Sequence, residues 1–156
     1  MYSTTFPDDD LQRFFQQIAR SSGFLEAVQT THEHAGVRLS MSETFALGEL
    51  AAAGALSQQD LAARLGLEKS TVSRLAAGME TRGWLRRERQ TDDRRLYRLE
   101  LTAEGRDVAD RVGAELREHH RHLLAGLSAD ERHALAVGLG ALVRQLDAEH
   151  ARHAGA

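Results

Sequence analysis

Between Leu61 and Met79 the apolar positions fall into two short helical stripes, and beyond Gly83 their period drops from 3.6 to 2. Leu61, Ala62 and Leu65 share one face of a helix whose start is signalled by Ser57 and Asp60. Val72, Leu75, Ala76 and Met79 recur at i, i+3, i+4 and i+7 in a second helix starting near Glu68 or Lys69. Only Gly66 and Leu67 lie between them, and Gly66, with no Cβ to clash, suits a left-handed stop. Two helices joined by so short a turn, the second amphipathic, predict a helix-turn-helix. Leu85–Gln90 and Leu96–Leu101 alternate as strands around the polar turn Thr91–Arg95. A hairpin this small does not stand alone, so it is expected to lean on the helices as a wing.

Helical patterns flank this centre. A first helix is expected after Pro7, capped by an Asp among positions 8–10, with Leu11, Phe14, Phe15, Ile18, Phe24, Leu25 and Val28 along its stripe. Gly36 and the residues to Leu39 interrupt the pattern, and Ser40 with Glu43 reads as a capping box for the next helix. Thr102 opens a long helix through Val108, Val112 and Leu116, and Ser128 with Glu131 starts a last one with Leu135, Leu139, Leu142 and Leu146 inward. The fold class expected is therefore mainly α with a small β-hairpin wing: a winged helix-turn-helix over 39–102, with helical dimerisation regions at 1–38 and 103–156.

Composition narrows the function. The 156 residues contain no cysteine, which excludes disulfides and thiol chemistry. No run of apolar residues is long enough for a membrane span, and the first ten residues carry no basic region followed by an apolar one, so a cytoplasmic location is expected. The net charge of −3 hides an asymmetry: residues 58–98 hold ten Lys/Arg against six Asp/Glu, a surplus of +4, while the remainder carries −7. A basic middle between acidic ends places an anion-binding surface on that segment.

The chemistry on that segment suits nucleic acid. With Val72, Leu75 and Met79 turned inward, Lys69, Ser70, Thr71, Ser73 and Arg74 remain on the outer face of the second helix, near its positive end. A Lys-Ser-Thr run alone is an ordinary solvated helix start, but beside a basic hairpin it can meet phosphates and base edges. Arg86, Arg87, Arg89, Arg94, Arg95 and Arg98 crowd that hairpin, which is expected to repel itself without an anionic partner. Asp93 can hold Arg95 in a pose suited to a minor groove. Charge can also protect an edge strand.

In order and spacing the chain resembles the MarR-type transcriptional regulators over about 110 residues. The resemblance rests on Leu39-Ser40-Met41-Ser42-Glu43 and Leu61-Ala62, then on Leu65-Gly66-Leu67-Glu68-Lys69-Ser70-Thr71-Val72-Ser73-Arg74-Leu75. It continues through Gly83-Trp84-Leu85, Arg87, Asp93-Arg94-Arg95 and Leu101-Thr102-Ala103-Glu104-Gly105. Gly78 departs from the family, which usually has a longer polar or basic residue there, and Asp92 adds acid where the family often has Pro or an uncharged residue. The resemblance implies that Lys69, Ser70, Thr71, Ser73 and Arg74 face the major groove. It implies that Asp93 and Arg95 form the wing tip in the minor groove, with Arg94 on nearby phosphate; Arg89 completes the DNA-contacting set. It further implies a homodimer through interlocked terminal helices, and a repressor released from a pseudo-palindromic operator by a small-molecule effector. The effector pocket is expected among Val28–Arg38, the helix from Ser40 and the start of the long helix.

Two other readings stand beside this one. His32, His34, His119 and His122 could serve a zinc- or other metal-responsive regulator, although Arg117, Glu118 and Arg121 around the latter pair also fit an exposed helix face. A winged helix can also be a protein–protein assembly module, which would not need the wing arginines. No nucleophile elbow, phosphate-binding loop or dinucleotide fingerprint occurs, so neither an enzyme nor a cofactor is expected. Trp84 is expected to anchor the core.

Overall fold

The computed structural model describes residues 13–14, 16–18, 32–89 and 97–154. Residues 13–14 and 16–18 are helical, as expected of the first helix, whose cap and remaining stripe lie outside the described residues. The chain divides into two compact units, residues 1–115 and 116–156.

In the first unit, strands β1 (His32–His34) and β2 (Val37–Leu39) form an antiparallel hairpin where the sequence pattern predicts only an interruption between helices. Its two-residue tip, Ala35 and Gly36, has φ of 50° and 77°, and positive φ at both places matches the twist of the strands. Helix α1 (Met41–Ala53) follows, opened by the expected capping box: Ser40 Oγ accepts from Glu43 N at 3.2 Å, and Glu43 Oε2 accepts from Ser40 N at 2.7 Å. It buries Ala46, Leu47 and Leu50 but leaves Phe45 53% exposed.

Ala55–Ser57 forms a short strand, β3, before α2 (Gln58–Leu65). Ser57 caps α2 by accepting from Asp60 N at 3.0 Å, while Asp60, one methylene shorter than Glu, takes the Ser57 hydroxyl at 2.7 Å. Gly66 ends α2 in the left-handed region, at φ 62° and ψ 33°. Helix α3 (Lys69–Thr81) buries Val72, Ala76 and Met79. Strands β4 (Leu85–Arg89) and β5 (Tyr97–Leu101) then make the wing, with β5 central because β3 pairs with its other edge. The wing is thus one side of a three-stranded sheet rather than a lone hairpin. Leu56, Leu85, Leu99 and Leu101 bury its inner face against the helices.

Helix α4 (Ala103–Leu124) starts at Thr102, whose hydroxyl accepts from Gly105 N at 3.0 Å and donates to Gly83 O at 2.6 Å. Val108, Ala109 and Val112 complete the core. Trp84 is 5% exposed, in accord with its expected anchoring place.

The second unit contains the end of α4 and helix α5 (Ala129–Ala154), opened by a capping box at the expected Ser128 and Glu131, through Ser128 N to Glu131 Oε2 at 2.8 Å and Glu131 N to Ser128 Oγ at 3.3 Å. Its leucines were expected inward, yet Leu135 is 40% and Leu139 49% exposed, with Leu146, Val137 and Val143 similarly open. An apolar stripe on a single chain is covered only if something packs on it.

Candidate nucleic-acid interface

Helix α3 presents the residues singled out from the sequence, and its core face determines how. Val72, Ala76 and Met79 lock one side into the first unit, so Lys69, Ser70 and Arg74 are exposed and Thr71 and Ser73 half-buried at its rim. Glu68 occupies the cap position without a side-chain hydrogen bond to the helix, which leaves first-turn amides for an outside acceptor. Among the described residues no carboxylate pairs with Lys69 or Arg74. Two unpaired cations, three hydroxyls and free amides at a positive helix end can together hold phosphate oxygens and meet base edges.

The other cations of residues 58–98 whose side chains are described are committed within the chain. Arg64 pairs with Glu49 at 2.9 Å. Arg82 pairs with Glu43 at 3.2 Å, donates to Arg38 O at 2.9 Å and stacks over Trp84 at 3.5 Å from the ring centroid. Arg86 donates to Glu100 at 2.8 Å and lies 3.5 Å from Glu88, and Arg106 reaches the same Glu100 at 3.4 Å. Arg98 donates to Ala55 O at 3.4 Å. Arg87 donates to Ser73 O at 3.3 Å, and its Nε lies 3.1 Å from Glu80 Oε2 but off the hydrogen-bond line.

For Arg86, Arg87 and Arg98 at the base of the hairpin, this corrects the expectation of self-repulsion. Glu80, Glu88 and Glu100 neutralise its base, and register explains why: Arg86 stands opposite Glu100 and Glu88 opposite Arg98 across β4 and β5. The Arg86 hydrogen bond, more than any charge nearby, pulls the Glu100 carboxyl below the usual carboxylate range. The same bond raises the Arg86 guanidinium, with the charges of Glu100 and Glu88 adding to it. Strand pairing, had it been drawn from the alternation alone, would have exposed both pairs. Arg89 lies at the end of β4 opposite Tyr97, but its side chain is not among the described ones. Asp93, Arg94 and Arg95 lie outside the described residues.

The histidines separate into distinct settings. His34 Nδ1 is 3.1 Å from Glu115 Oε1, and Glu115 Oε2 also accepts from Ala35 N at 2.5 Å. Arg111 donates to Ala35 O at 2.9 Å, so two side chains of α4 grip the hairpin tip. The bond to His34 and then that to Ala35 hold the Glu115 carboxyl below its usual range. His119, His120 and His122 are exposed on α4. Among the described residues no three His, Asp or Glu side chains are placed to hold a metal ion. Nor is any described helix long and apolar enough to cross a membrane. A cavity of about 220 Å³ opens against Ser40, Met41, Ser42, Phe45, Leu65 and Leu67. Of the region expected to hold an effector pocket, residues 28–31 lie outside the described residues.

Comparison with known proteins bears on this arrangement. The MarR family model matches residues 39–96. A MarR-family transcriptional regulator from Silicibacter pomeroyi is 32% identical, the match covering 69% of this chain and 72% of that one with a TM-score of 0.57. The PcaV transcriptional regulator of Streptomyces coelicolor, solved with its natural ligand, is 29% identical over 96% of this chain and 97% of its own, at a TM-score of 0.66. FabT of Streptococcus pneumoniae, solved in complex with DNA, shares the fold at 20% identity, with 90% and 98% covered and a TM-score of 0.77. The chain spans about half the length of the curated relatives it matches, 49% of one and 55% of another.

Proposed function

The chain belongs to the MarR family, and from that premise we propose that it is a homodimeric, cytoplasmic DNA-binding transcriptional regulator, a repressor released from a pseudo-palindromic operator by a small-molecule effector. One observation carries the DNA reading. The exposed start of α3 combines Lys69 and Arg74, unpaired among the described residues, with uncapped amides and the hydroxyls of Ser70, Thr71 and Ser73. In a helix-turn-helix that end of the second helix enters the major groove.

Residues 39–102 are assigned to DNA reading. Lys69, Ser70, Thr71, Ser73 and Arg74 contact the major groove, Asp93 and Arg95 the minor groove and Arg94 phosphate, with Arg89 in the same DNA-contacting set. Residues 1–38 and 103–156 are assigned to pairing, with the exposed Leu135 and Leu139 of α5 as part of the surface covered. A two-fold dimer then reads half-sites about 10 bp apart. The solved FabT–DNA complex supports the DNA reading, and PcaV with its natural ligand supports an effector.

A gel-shift titration against salt tests the reading. Specific binding is expected to weaken by at least about 100-fold between 50 and 200 mM salt, because phosphate contacts release counterions. Flat, weak binding to every duplex overturns it and returns the chain to an assembly role.

A further inference from the structure

Three successive residues of β4 leave the sheet on alternating sides. Arg86 and Glu88 face their charged partners Glu100 and Arg98, while Arg87 stands opposite Leu99, which is fully buried. Arg87 therefore points to the core side of the sheet, where an unpaired guanidinium is costly. Helix α3 supplies what it needs, from two points seven residues apart. Carbonyls point along a helix toward its C-terminus and side chains lean toward its N-terminus, so the Ser73 carbonyl and the Glu80 carboxylate converge from opposite ends. One planar guanidinium meets both, by a hydrogen bond to the carbonyl at 3.3 Å and an ion-pair contact with the carboxylate at 3.1 Å.

We propose that Arg87 and Glu80 form a bracket that fixes the wing to the reading helix, making Arg87 a positioning residue for sequence discrimination rather than a DNA contact. The inference rests on the DNA-binding reading above. Ser73 belongs to the groove-facing set, so the bracket holds the reading turn itself. Two residues further along β4, Arg89 leads into the wing tip. With helix and wing entering different grooves, a small change in the angle between them puts both sets of contacts out of register, and matched DNA loses more than unmatched DNA. Lysine, a point charge on a flexible stem, cannot span the two acceptors as a planar fork does.

The test uses a duplex selected by the wild-type protein from a random-sequence pool and an unselected duplex of equal length, each titrated at several salt concentrations, with thermal melting alongside. Arg87→Lys and Glu80→Gln are each expected to lose about tenfold affinity for the selected duplex. Both are expected to keep the wild-type salt slope and their affinity for the unselected duplex. The second variant is the sharper one: removing an acid from a DNA-facing module should tighten binding on charge grounds, whereas the bracket predicts the opposite. If Arg87 touches phosphate instead, Arg87→Met weakens both duplexes alike and lowers the slope by about one contact, while Arg87→Lys matches wild type; that result overturns the bracket. So does a lowered melting temperature with unchanged discrimination, which would make the pair merely structural. A wild-type protein that enriches no sequence overturns the DNA reading, and the bracket's purpose with it.

Discussion

Gly105 lies so close to Trp84 that a Cβ on it would fall 1.9 Å from the Trp84 carbonyl oxygen and 2.8 Å from its carbon. The same carbonyl accepts from Thr102 N at 2.9 Å, so the start of α4 is laid directly on the main chain entering the wing. The neighbour is backbone and cannot rotate away. Gly105→Ala is expected to destabilise the protein by about 3 kcal/mol, the upper range for overpacking a close contact. Urea unfolding checks this; a midpoint equal to wild type would show that the helix shifts freely.

Arg82 counts toward the basic surplus of the sequence, yet its guanidinium ties the end of α3 to Glu43, Arg38 O and the Trp84 ring. Arg82→Met is expected to lower stability by about 1–2 kcal/mol through the lost hydrogen bonds and ring contact. Duplex affinity of the folded variant should stay within about twofold of wild type, since no phosphate contact is removed. A large affinity loss at a temperature where the variant is folded would place Arg82 on DNA.

Glu115 makes acid sensitivity local. Its carboxyl is held low by His34 and the Ala35 amide, so folding lowers its pKa. Its contribution is present above the unfolded value of about 4.3 and is lost as pH falls through the lower folded value. Glu115→Gln is therefore expected to show a shallower fall in stability than wild type between about pH 5 and pH 3. Urea midpoints across that range decide it, and parallel curves would remove Glu115 from the account.

The open stripe of α5 makes a prediction about assembly. Leu139→Asp puts a charge in the middle of it and is expected to shift the protein from dimer to monomer in sedimentation, because an unpaired charge is costly in an apolar interface. A wild-type protein already monomeric at micromolar concentration would refute the assignment of α5 to pairing.

These elements also mark what the sequence could carry. Ser40–Glu43 and Ser128–Glu131 were legible because a capping box is a local spacing, and so were Val72, Ala76 and Met79 of the inward set, although its fourth member, Leu75, is only half-buried. The β1–β2 hairpin was not, since Ala35 adopts a φ of 50° that alanine does not advertise. Strand β3 escaped because three residues show no period, and only its pairing with β5 defines it. The cations of the reading segment were legible in number but not in commitment: Arg82, Arg86 and Arg87 find their carboxylates across the fold or the sheet. Lys69 and Arg74 stand apart by lacking a described partner, which no count of charges reveals.

Fluorescence anisotropy with the selected duplex, repeated over salt, compares wild type with the double variant Lys69→Ala/Arg74→Ala. The expected result is a loss of at least about tenfold in affinity and a salt slope shallower by up to about two contacts, with thermal stability unchanged. A double variant that binds with wild-type affinity and slope would place the DNA-binding surface elsewhere on the chain.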